Sequence, residues 1–87
     1  MAWTVELSRE AEKALSKLGA VEANRIAKGL RTIAGLDDPH LRGEMMVGNR
    51  AGFWRYRFGD WRAIVQLVDS RMVIIVIAIG HRREVYR

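Results

Sequence analysis

The stretch at residues 52–62, GFWRYRFGDWR, decides how this chain folds. From Trp54 the side chains alternate: Trp54, Tyr56 and Phe58 point one way, Arg55 and Arg57 the other. That is the period of a strand with one buried face. Gly59-Asp60 suits a two-residue hairpin turn, because glycine supplies the positive φ that such a turn needs. With the turn in place, Phe58 pairs with Trp61 and Arg57 with Arg62. Directly paired residues share a face, so Arg55, Arg57 and Arg62 gather on one side of the hairpin. Two arginines set opposite each other repel, at a cost of about a few tenths of a kcal/mol. Threonine or glutamate would avoid that cost, so the cluster reads as a site for an anion.

The charge distribution supports this. The chain carries a formal charge of +5, yet residues 1–48 hold seven Lys/Arg against seven Asp/Glu. Residues 49–87 hold eight basic groups, all arginine, against three acids. The planar guanidinium fork matches phosphate in a bidentate way, whereas lysine would serve as well for solubility alone. Phosphate or nucleic acid is therefore the expected target.

Working outward from the hairpin, residues 61–69 form its second strand, residues 69–71 a turn, and residues 72–79 a continuous β-branched run expected as a central strand. If that turn keeps parity, His81 and the odd-numbered isoleucines lie on the arginine side with Ile64 and Val68. Arginine beside exposed isoleucine then suggests a face that a second protein covers. Upstream, residues 3–7 alternate as a short strand. Ser8 is a good N-cap, with Glu10 and Glu12 in the first turn. Ala11, Ala14, Leu15 and Leu18 form a helical stripe, and Gly19 is placed to end that helix. A second helix covers about 21–36, with Ile26, Leu30 and Ile33 inward; Gly29 within it costs about 1 kcal/mol relative to alanine or permits a close approach. Asp37-Asp38-Pro39-His40 closes it, and residues 41–47 form an irregular strand or loop. The elements run β-α-α-β-β-β: an α+β fold in which a helical hairpin covers one face of a mostly antiparallel sheet.

Eighty-seven residues make a single domain, 1–87, near the small end of what folds without staples. The absence of cysteine excludes a disulfide framework, a thiolate metal site and a thiol nucleophile. No basic region followed by an apolar run opens the chain, so no signal peptide is expected and a cytoplasmic location fits. The 72–79 run is too short to span a bilayer.

Asp37, Asp38 and His40 are expected to finish a helix rather than bind metal, Asp60 to serve the turn, and Trp54 and Trp61 to pack in the core. No paired carboxylates, Gly-rich phosphate loop or nucleophile–base arrangement stands out, which argues against a hydrolase that depends on a metal or a covalent intermediate. No cofactor is implied. Arg55, Arg57, Arg62, His81, Arg82 and Tyr86 remain. Metal-free RNA cleavage needs a base for the 2′-hydroxyl, cations for the transition state and an acid for the leaving oxygen. Arginines meet the second need, but a pKa above about 12 makes them poor proton carriers. His81 has the only suitable ordinary pKa near the cluster, and Tyr86 could stack on a base.

The strand 54–62, the apolar strand after it and Gly80-His-Arg-Arg-Glu-Val-Tyr86 together resemble the RelE family of bacterial toxins, within the RelE/ParE superfamily. The N-terminal strand, the helical hairpin and Leu41-Arg-Gly43 fit the same family, so the resemblance spans essentially the whole chain. It implies the toxin of a type II toxin–antitoxin system: an endoribonuclease that cuts mRNA in the A site of the 30S ribosome and is neutralised by a cognate acidic, RelB-like antitoxin. The toxin–antitoxin complex is expected to bind operator DNA through the antitoxin. By position, Arg55 and Arg57 match the two strand basic residues of the family site, where the best-known members have lysines. Arg62 matches the transition-state arginine, Arg82 the general acid or phosphate ligand, and Tyr86 the substrate-orienting tyrosine. Arginine for lysine weakens a simple general-base assignment, and His81 takes up proton transfer as in histidine-using relatives. A ParE-like toxin that poisons DNA gyrase, or a non-catalytic RNA- or partner-binding module, would share this fold.

Overall fold

The computed structural model describes residues 3–82. Its elements are β1 (Thr4–Leu7), α1 (Arg9–Ser16), α2 (Ala20–Ala34), a 3-10 turn at Pro39–Arg42, β2 (Glu44–Met45), β3 (Trp54–Phe58), β4 (Trp61–Val68) and β5 (Val73–His81). The five strands form one sheet in the order β1-β5-β4-β3-β2. β1 runs parallel to β5, and the other neighbours pair antiparallel. The expected fold is present, with one short addition: the irregular 41–47 stretch contributes the edge strand β2.

The helices pack on one face because their apolar stripes meet the inward residues of the strands. Ile26, Leu30 and Ile33 join Tyr56, Phe58, Ala63, Val65, Ile74 and Val76 in one buried cluster, with Trp54 and Trp61 half-buried against it. Gly29 proves to permit a close approach: a Cβ there would overlap the Phe58 ring. Gly19 does not end α1, however. That helix closes at Lys17, whose N–H reaches the carbonyls of Ala14 and Leu15, and Gly19 instead caps the start of α2 with φ −66°. A last turn that satisfies its own carbonyls needs no left-handed glycine.

Parity along β5 differs from the expectation. Ile64 pairs with Ala78 but Val65 pairs with Val76, which leaves Ile77 as an extra residue in β5. A β-bulge of this kind exchanges the faces of everything beyond it. Ile79 therefore turns into the core at 8% exposure, and His81 pairs with Trp61 on the helix side. On the arginine side, Ile64 is only 2% exposed. The anticipated arginine–isoleucine face is thus reduced: Ile64 is buried there and Ile79 has changed sides, while Ile75, paired with Gln66, stays half-buried on the arginine side.

Candidate functional site

The hairpin forms in the expected register: Phe58 with Trp61, Arg57 with Arg62, Arg55 with Ile64. Gly59 takes φ +66° while Asp60 keeps a negative φ, the sign pattern of a turn with glycine in its first central position. Arg55, Arg57 and Arg62 consequently share a face, but their guanidinium groups do different things.

Arg62 is buried at 6% exposure, and its Nη1 donates to the carbonyl of Gly59 at 2.7 Å and to that of Trp61 at 3.0 Å. It therefore braces the turn from behind rather than projecting beside the other two. Arg55 and Arg57 converge on a residue that the sequence reading did not single out. Glu44 Oε1 accepts from Arg57 Nε at 2.9 Å and from Arg55 Nη2 at 3.4 Å. Pairing of Glu44 with Arg55 across β2 and β3 puts the carboxylate on the arginine face. Glu44, Arg55 and Arg57 line a groove of about 330 Å³ together with Arg42. The ion pair stays open to ligands, since the Glu44 and Arg57 side chains keep 48% and 53% exposure. Charge-assisted contacts of this length orient the groups more than they stabilise the fold at such exposure.

The chain reaches Glu44 by way of a pinned turn. Tyr56, 1% exposed, donates through its hydroxyl to the Pro39 carbonyl at 2.8 Å. Burial pushes its hydroxyl pKa up to about 12, with a smaller contribution from the Asp38 charge, so it remains a donor. A Cβ at Gly43 would come within 2.9 Å of the Tyr56 ring, so only glycine lets the backbone cross this close between Arg42 and Glu44. Asp38 caps the 3-10 turn through the His40 N–H at 3.1 Å and lies 2.7 Å from His40 Nδ1. The hydrogen bonds from His40 hold the Asp38 carboxyl below its ordinary pKa. His40 Nε2 also lies 3.5 Å from Asp69, and the ring packs edge-on to Trp54 at 4.9 Å between centroids. This cluster joins two turns to the core; it does not close α2 as expected, because that helix already ends at Ala34 with Gly35 as its cap and Asp38 starts the next turn. Among the described residues no group of three or more His, Asp or Glu is arranged to hold a metal ion.

At the far end of the hairpin, the Arg82 N–H donates to the Asp60 carbonyl at 2.7 Å, and its Nη1 lies 4.0 Å from Asp60 Oδ1. Gly80, paired with Arg62, keeps this strand end on the arginine side. His81 is on the opposite face, edge-on to the Trp61 ring at 5.5 Å. The structure therefore separates His81 from Arg55 and Arg57, contrary to the parity expectation, and the bulge at Ile77 is the cause. Tyr86 lies outside the described residues.

Sequence reasoning missed Glu44 because a two-residue strand has no alternation to read. Its place immediately after Arg42-Gly43 was the one available signal.

A sheet of this order under two helices, with an arginine-bearing hairpin at one end, is the fold that the resemblance to RelE/ParE toxins implied. Residues 5–86 match the family model described as the ParE toxin of the type II toxin–antitoxin system, parDE, and the chain belongs to that family. No curated protein matches it. Among solved structures, the chain is similar to one in the toxin–antitoxin complex RelBE2 of Mycobacterium tuberculosis: TM-score 0.85, 19% identity, covering 94% of this chain and 93% of that one. It is also similar to a free mutant form of the Escherichia coli toxin RelE, with TM-score 0.76, 22% identity and coverage of 99% and 92%. A third likeness is to the archaeal RelE–RelB complex of Pyrococcus horikoshii, with TM-score 0.73, 22% identity and coverage of 94% and 97%.

Proposed function

We propose that this toxin is a ribosome-dependent, metal-independent endoribonuclease that cuts mRNA in the ribosomal A site and is silenced by an acidic, RelB-like antitoxin. The observation that carries the proposal is the Glu44 carboxylate held against Arg55 and Arg57 in an open groove. Arg57 uses Nε toward Glu44, and both of its terminal nitrogens remain for a phosphate. Glu44 Oε1 receives the arginines, leaving Oε2 to accept the proton of a 2′-hydroxyl.

In the proposed reaction the 2′-oxygen attacks the adjacent phosphorus as Glu44 takes its proton. Arg55 and Arg57 offset the charge that develops on the phosphorane oxygens. The bond to the 5′-oxygen then breaks, and that oxygen departs beside Arg82 and takes a proton from water, leaving a cyclic phosphate and a free 5′-hydroxyl. Arg62 acts through the turn by fixing the register of the hairpin that carries Arg57 and, through Asp60, holds Arg82. His81 holds the same strand end against Trp61. Tyr86 keeps the base-stacking role that the family resemblance implies.

The acidic antitoxin follows from charge: a partner segment that crosses this arginine face gains complementary contacts through carboxylates. Binding of the complex to operator DNA is assigned to the antitoxin.

The test is primer-extension mapping of mRNA 5′ ends after induction of the wild type and of Arg57→Ala. New ends in wild-type cells that are missing with the variant support the proposal, and intact messages during growth arrest overturn it. Arg57 is the better probe, because Arg62→Ala also removes the brace of the turn. A second reading, poisoning of DNA gyrase without RNA cleavage, draws support from the ParE description of the matching family model. DNA breaks and an SOS response with uncut messages would establish it instead.

A further inference from the structure

A second basic hollow adjoins the Glu44 groove, on the other side of Arg57. It is a cleft of about 370 Å³ between α2 and the β3–β4 hairpin, and its charged lining is Arg25, Lys28, Arg42 and Arg57. No carboxylate lines it, which distinguishes it from the neighbouring groove that contains Glu44. Arg42 and Arg57 line both hollows, so the two adjoin at these side chains. The volume falls in the range of clefts that hold small ligands, roughly 300–1,000 Å³.

Two features of the chain build this cleft. Arg25 and Lys28 are three residues apart on α2 and so point from one side of it. The hairpin turn is glycine at 59, and a Cβ there would lie 2.7 Å from Arg25 Nη1. Glycine therefore serves both the positive φ of the turn and the passage of the Arg25 side chain across it. Arg25, Lys28 and Arg42 are exposed, and among the described residues their side chains make no hydrogen bond or ion pair. Four cations border an acid-free concavity, and three of them, Arg25, Lys28 and Arg42, have no carboxylate partner among the described residues, which focuses positive potential there.

We propose that this cleft is a second phosphate subsite, which takes the backbone of single-stranded RNA next to the nucleotide held at Glu44. The inference rests on the RNA reading of the Glu44 groove and extends it. Arg57 contacts the phosphate between the two hollows, and Arg25 and Lys28 engage the next one along the strand. The subsite reads charge and spacing rather than base identity, since its donors are all cationic side chains suited to phosphate.

The test measures binding of a fluorescein-labelled 2′-O-methyl dodecanucleotide, which retains its phosphates and cannot be cut through a 2′-hydroxyl. Anisotropy titrations over a series of salt concentrations compare the wild type, Arg25→Ala/Lys28→Ala and Arg55→Ala, which touches the Glu44 groove alone. Loss of the one phosphate that Arg25 and Lys28 engage should lower the slope of log affinity against log salt by about 0.7 in the double variant, the value per phosphate for a single strand. A dinucleotide of the same chemistry, with one phosphodiester, should bind the double variant and the wild type alike. An unchanged slope for the dodecanucleotide overturns the subsite. So does a loss seen only with a glutamate-rich peptide, which would assign the cleft to an acidic protein segment. Weaker RNA binding by the double variant, with wild-type binding by Arg55→Ala, retains the subsite but removes the Glu44 groove, the only one of the two that Arg55 lines, from the RNA path. The two readings therefore fail separately.

Discussion

The hydroxyl of Ser8 donates a 2.6 Å hydrogen bond to the carbonyl of Ile77 while accepting one of 3.0 Å from the N–H of Ala11. One side chain thus caps α1 and anchors the bulge residue of β5, 69 positions away in sequence. The bulge decides which way residues 78–82 face, so the cap and the site are mechanically linked. Replacing Ser8 with alanine removes both bonds. A lost N-cap costs about 0.5–2 kcal/mol, and the part-buried Ile77 carbonyl loses a hydrogen bond worth about 0.5–1.5 kcal/mol. Ser8→Ala should lower the urea midpoint accordingly, and Ser8→Thr should recover most of the loss. An alanine variant that unfolds at the wild-type midpoint would mean that Ile77 is held by the sheet alone.

Much of this architecture was legible in the sequence, and the exceptions have identifiable causes. The hairpin register followed from alternation and from Gly59-Asp60, and it brought Arg55, Arg57 and Arg62 to one face as read. The helix stripes correctly placed Ile26, Leu30 and Ile33. In the 72–79 run, by contrast, every residue is apolar, so nothing in its pattern marks the inserted Ile77. The face of His81 was therefore beyond reach until the pairing was seen. Glu44 was hidden for a related reason: its meaning lies in a cross-strand partner, Arg55, eleven residues later. The burial of Arg62 likewise depends on carbonyls that only the folded turn directs inward.

Gly29 tests the contact between α2 and β3. Alanine would ordinarily help a helix by about 1 kcal/mol relative to glycine. Here its methyl would meet the Phe58 ring, and overpacking of a core contact costs about 1–3 kcal/mol. Gly29→Ala should therefore be destabilising in chemical denaturation. Phe58→Leu makes room at the contact, so the double variant should lose less than the sum of the two single losses. Additive losses would show that the methyl is accommodated elsewhere.

Tyr56 gives the fold a limit at high pH. Its pKa is raised to about 12 by burial, against about 10 in the unfolded chain. Between these values the folded state binds more protons than the unfolded one, so stability is fully present below pH 10 and falls as pH rises toward 12. The chain has two tyrosines, so in a Tyr86→Phe background the tyrosinate absorbance reports on Tyr56 alone. It should titrate about two units above a free tyrosine. Tyr56→Phe should abolish this pH dependence and cost about 1–3 kcal/mol at neutral pH, because the Pro39 carbonyl loses its donor. Titration at the ordinary value would contradict the burial seen for this hydroxyl.

Glu44 is where the stability and activity arguments separate. Its side chain is 48% exposed, and its two arginine contacts lie at an open edge, where such pairs contribute about 0–1 kcal/mol. Glu44→Gln should therefore leave the melting temperature close to wild type. The amide keeps the shape but accepts no proton, so cleavage of ribosome-bound mRNA should slow by about 100-fold or more, the scale of a positioned general base. Binding to programmed ribosomes should be retained or slightly strengthened, since Arg55 and Arg57 lose a competing anion. Glu44→Asp, one methylene shorter, should restore part of the rate. This pattern distinguishes a proton acceptor from a residue that only orders the arginines, for which glutamine would serve nearly as well. Wild-type cleavage by Glu44→Gln would transfer the base role to another group and leave Glu44 as a spacer between two cations.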